Sequence, residues 1–107
     1  MASSSKSSLD KIGLQLEIRR AKACRRDAVD KRSSAQQDIA SMTSFMKHMD
    51  TLPDNEVVLN SKIAAQKVML NGYDIIEACT NLINIIDHRV DLMQKMVSNM
   101  KNDMERR

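Results

Sequence analysis

Aromatic residues are nearly missing from this chain: one Phe (Phe45), one Tyr (Tyr73) and no Trp in 107 residues. A compact core of ordinary build uses more aromatic volume than that. Glycine occurs twice and proline once, which leaves few residues for hairpin turns and argues against a β fold. The two cysteines, Cys24 and Cys79, are too few for a disulfide scaffold. No stretch of 18 apolar residues is present to span a membrane, and no apolar segment suited to secretion stands at the start. The expected compartment is therefore cytoplasmic or nuclear, with both thiols reduced.

Signatures of chemistry are also missing. His48 and His88 lie far apart and do not form an HxxxH or HExxH pair, so no zinc motif exists. Neither a Gly-rich phosphate loop nor a serine-elbow motif occurs. The carboxylates are scattered, as on solvated helix faces. The reading is non-enzymatic, with no catalytic residue, no cofactor and no metal.

What is present is helical period. Charged residues make up 29% of the chain, and the apolar ones are mostly Ile, Leu, Val, Ala and Met, a mixture that suits long helices. In the first half Ile18, Ala21, Arg25, Ala28, Arg32, Ala35, Ile39, Met42, Met46 and Met49 follow a 3-4 spacing. In the second half Ala65, Val68, Gly72, Ile75, Cys79, Leu82, Ile86, Arg89, Met93, Met96 and Met100 do the same. Such spacing makes narrow apolar seams, and a seam needs a partner helix.

The chain divides accordingly. Residues 1–7 are Ser-rich and read as a disordered tail, with Ser7 and Asp10 placed as a capping box. Residues 8–107 form the helical domain: a helix over 8–50, a turn over 51–54 around Pro53, and a helix over 55–105 capped by Asp54 or Asn55. Asn71-Gly72 leaves two arrangements open, one continuous second helix or a break that makes three helices. The fold class is all-α, a long antiparallel coiled-coil-like hairpin completed by oligomerisation or partner helices. A fold-back near Leu52 and Pro53 brings Arg19 level with Asp87, Arg32 with Asp74, and Cys24 with Cys79.

The second helix is too apolar for one seam. Ile75, Ile76, Cys79, Leu82, Ile83, Ile85, Ile86, Val90, Leu92 and Met93 cover more than half its circumference, so apolar surface remains once one helix is packed. The interaction seam is assigned to Ile75, Cys79, Leu82, Ile86, Met93, Met96 and Met100 with Ile39, Met42 and Met46. Its partner is a helical protein or a second copy of the chain. The methionine clusters Met42, Met46, Met49 and Met93, Met96, Met100, Met104 read as core or interface. The second cluster is expected to face Leu9, Ile12, Leu14 and Leu16.

One alternative partner comes from a basic segment, Arg19 to Arg32. Within it Arg19, Lys22, Arg25 and Arg26 form a candidate anion-binding stripe for nucleic acid or an anionic surface. The plainer reading is a solvated or partner-paired face, because no aromatic residues interleave for base stacking. Arg25 and Arg32 fall on seam positions, which implies contact with acidic groups of a neighbouring helix. For Cys24 and Cys79 a facing pair would permit a redox clip, but small core residues are the plainer assignment.

Overall fold

The computed structural model describes residues 2–105, with side chains placed for residues 10–102. It is an all-α helical hairpin of two elements, α1 (Ala2–Met49) and α2 (Glu56–Glu105). α1 begins at Ala2, ahead of the start expected at residue 8, so Ser7 and Asp10 stand within the helix rather than at its cap; the side chains of Leu9 and Met104 lie outside the described ones.

The turn is built from local hydrogen bonds. Past Met49 the backbone tightens: Thr51 N–H donates to His48 O at 3.0 Å and Leu52 N–H to Met49 O at 3.1 Å. The Thr51 hydroxyl also donates to His48 O, at 2.6 Å, so this carbonyl at the helix end accepts two hydrogen bonds. Asn55 is the N-cap of α2, its Oδ1 accepting from Val58 N–H at 2.9 Å. Lys62 Nζ then reaches Asp50 Oδ1 at 2.7 Å and ties the first turns of α2 to the end of α1.

The chain packs as two compact units, Ala28–Asn81 and residues 1–27 with 82–107. In the Ala28–Asn81 unit the buried residues are small: Ala28, Ala35, Val58, Ala65 and Cys79. Gly72 belongs to the same set. A Cβ added there would lie 2.8 Å from Ile39 Cγ1 and 3.0 Å from Ile39 Cδ1. This explains Asn71-Gly72: α2 runs unbroken through it, and the glycine serves the close approach of α1. In the other unit Ile86, Val90 and Met93 form a buried cluster, with Leu14, Ile18 and Ala21 packed against it. Leu14 thus meets the C-terminal half of α2 as expected, whereas Ile12 and Leu16 face solvent.

The pairing register differs from that of a fold-back at Pro53. Asp87 meets Arg25 rather than Arg19, and Arg32 meets Thr80 rather than Asp74, a displacement of six residues in each case. The reason lies at the turn. Residues 50–55 carry the chain on past the end of α1, and Lys62, not Glu56, stands beside Asp50. The first turns of α2 therefore run past the end of α1, and the Arg32–Thr80 and Arg25–Asp87 pairs are displaced accordingly.

Candidate functional site

Each helix packs through a seven-residue repeat. On α1 the repeat is Leu14, Ala21, Ala28, Ala35, Met42, Met49 with Ile18, Arg25, Arg32, Ile39, Met46, and every one of these is buried or half-buried. These are the seam positions that spacing assigns to the first helix, with Leu14 added. On α2 one repeat is Val58, Ala65, Gly72, Cys79, Ile86, Met93, Met100 and the other is Lys62, Met69, Ile76, Ile83, Val90, Val97, again all buried or half-buried. Of the assigned interaction residues, Cys79, Ile86 and Met93 are buried and Ile39, Met42, Met46 and Met100 half-buried in this inner seam.

Ile75, Leu82 and Met96 are not in it. They stand open, with exposures of 44%, 46% and 49%. They belong to a second stripe on α2, beside the first. Its two rows are Ser61, Val68, Ile75, Leu82, Arg89, Met96 and Val57, Ala64, Asn71, Ala78, Ile85, Leu92, Asn99, all exposed except half-buried Ser61. In the Ala28–Asn81 unit the stripe presents Val57, Val68 and Ile75, and in the other unit Leu82, Ile85, Leu92 and Met96. The two rows alternate at intervals of three and four, which is the geometry of a coiled-coil seam. Val57, Ile85 and Leu92 belong to it although the 3-4 reading of the second run omits them. The signal that finds them is the excess of apolar residues over what one seam can hold.

The seam arginines are satisfied by α2. Arg25 Nε donates to Asp87 Oδ1 at 2.7 Å and a second nitrogen to Oδ2 at 3.5 Å, both side chains about half exposed. The hydrogen bond, then the charge of Asp87, pushes the Arg25 value further up. Arg32 donates to the Thr80 hydroxyl at 3.3 Å, an alcohol where an acid was expected. Pairing takes Arg25 out of the candidate anion stripe. Arg19, Lys22 and Arg26 remain exposed, and Arg20 pairs with Glu17 at 3.0 Å. The shallow groove beside them also carries Asp87 and Asp91, so its field is of mixed sign.

Cys79 occupies a core position and Cys24 faces solvent, both as free thiols. His48 and His88 are exposed. Among the described residues no group of three or more His, Cys, Asp or Glu could hold a metal ion, and no helix is long and apolar enough to cross a membrane. No family model matches the chain, and neither a curated protein nor a solved structure matches it.

Proposed function

We propose that this chain is a non-enzymatic assembly subunit of the cytosol or nucleus that binds a helix along the outer stripe of α2. The observation that carries the reading is the stripe itself: a heptad-spaced apolar seam on α2 that α1 leaves uncovered. The thin core supports it. Several inner-seam residues are Ala or Gly, and among the described residues no large side chain is fully buried. A hairpin of this kind gains little stability alone, and a further helix adds what it lacks.

The test places Glu at Leu82 and Leu92 together and follows a fluorescently tagged chain by sedimentation in extract of the cells that make it. The reading expects the parent in a species heavier than one hairpin, and the variant as a free hairpin with unchanged helicity. Identical sedimentation of the two would overturn it.

A second reading rests on the exposed trio Arg19, Lys22 and Arg26, which would hold phosphate groups of nucleic acid or an anionic surface. Asp87 and Asp91 in the adjoining groove weaken it. Changing the trio to Gln distinguishes the two. Loss of tight, salt-sensitive nucleic-acid binding would favour the second reading, and unchanged assembly with no such binding favours the first.

A further inference from the structure

Arginine at a seam position has an acceptor wherever the hairpin itself covers it. Arg25 has Asp87, at 2.7 Å, and Arg32 has the Thr80 hydroxyl, at 3.3 Å. Arg89 is also at seam spacing, but it stands in the outer stripe. Within one compact unit that stripe runs Leu82, Ile85, Arg89, Leu92, Met96, and Arg89 is its one polar member there, exposed like the rest. Its own helix gives it nothing to pair with, since the residues three and four places away are Ile85, Ile86, Leu92 and Met93. Among the described residues Arg89 takes part in no ion pair. The neighbouring cation Lys95 already has Asp91, at 3.0 Å. Arg89 lies in the row that adjoins Ile86 and Met93 of the inner seam, not at the stripe's outer edge, so a helix laid along the stripe covers it. A guanidinium covered without an acceptor opposes that association.

We infer that the stripe around Arg89 is covered by a helix of another protein whose apolar face carries an Asp or Glu opposite this arginine. The inference rests on the assembly reading above and deepens it by giving the partner's chemistry. A carboxylate accepts two parallel hydrogen bonds from the planar guanidinium and neutralises its charge as water leaves. A second copy of this chain does not supply one through the same stripe, whose rows from Val57 to Asn99 contain no Asp or Glu. A nucleic-acid backbone would gain nothing from the apolar residues on either side. A helix without the acid meets Leu82, Ile85, Leu92 and Met96 but leaves the cation unpaired. Arg89 thus selects among helices of similar apolar pattern, as a polar residue in a coiled-coil seam does.

The experiment follows the tagged full chain by sedimentation in extract of the cells that make it, with two variants at this exposed position. Arg89→Lys keeps the charge and should stay in the heavy species. Arg89→Leu completes the apolar stripe but leaves the partner's carboxylate covered and unpaired. Roughly tenfold in affinity should be lost, and the chain should shift toward the free hairpin. An Arg89→Leu chain that stays in the heavy species, or enters it more fully, would overturn the carboxylate. The assembly reading would still stand in that case if Glu at Leu82 and Leu92 releases the chain. A heavy species that nuclease disperses would overturn the inference in favour of phosphate groups. A purified parent chain that sediments as two hairpins would overturn it in favour of a second copy. A parent that is a free hairpin in extract would overturn this inference and the assembly reading together.

Discussion

Gly72 shows how one residue is held to its type by its opposite number. In a helix interior glycine costs about 1 kcal/mol against alanine, so Gly72→Ala would ordinarily stabilise α2. Here the new Cβ falls 2.8 Å from Ile39 Cγ1, a β-branched side chain with little rotamer freedom. Overpacking of this kind costs roughly 1–3 kcal/mol, and the net expectation is a loss of up to about 2 kcal/mol by urea unfolding at fixed protein concentration. With Ile39→Ala in place the same change should instead stabilise, by up to about 1 kcal/mol. Gly72→Ala stabilising in both backgrounds would contradict the close contact. Lys62 gives a pH prediction. Its hydrogen bond to Asp50 raises it above the ordinary lysine value of 10.5. A raised cation contributes stability that is fully present below its unfolded value and is lost as pH rises through the folded one. The melting temperatures of the parent and of Lys62→Met should therefore differ by a constant amount through neutral pH and converge in strong alkali. Convergence on acidification alone, with the difference kept in alkali, would contradict this role for the ion pair.

At the scale of the element, the two helices were not equally legible. Every seam position that spacing assigns to α1 is buried or half-buried, because that helix has one long apolar stripe, with Ile12 and Leu16 exposed near its start. On α2 each member of the row Val58, Ala65, Gly72, Cys79, Ile86, Met93 is followed by seam residues at both three and four places onward. The row can pair with either neighbouring row, and spacing alone does not say which of the two is turned toward α1. The turn was legible in place, but the overhang of α2 was not, since no residue marks how far the chain runs on before it returns. The two seams make different predictions. Ile86→Asp puts a charge into the inner seam and should lower stability by on the order of 3 kcal/mol or more. Ile85→Asp, one residue along on the outer stripe, should leave the helix content of the hairpin unchanged and abolish its association. Circular dichroism with sedimentation separates them, and equal effects of the two would contradict the division. Replacing Arg19, Lys22 and Arg26 with Gln, at nearly equal helix propensity, should leave association untouched.

For the whole molecule, the inner seam of the hairpin is thin and the outer stripe of α2 is open. Both features fit a hairpin that folds by itself and gains further stability from a helix bound along the stripe. The central claim, a helix bound along the outer stripe, is tested most directly by sedimentation of the tagged chain in extract of the cells that make it, beside the variant with Glu at Leu82 and Leu92. The account predicts a species heavier than one hairpin for the parent and a free hairpin for the variant. Parent and variant with the same mass would contradict it.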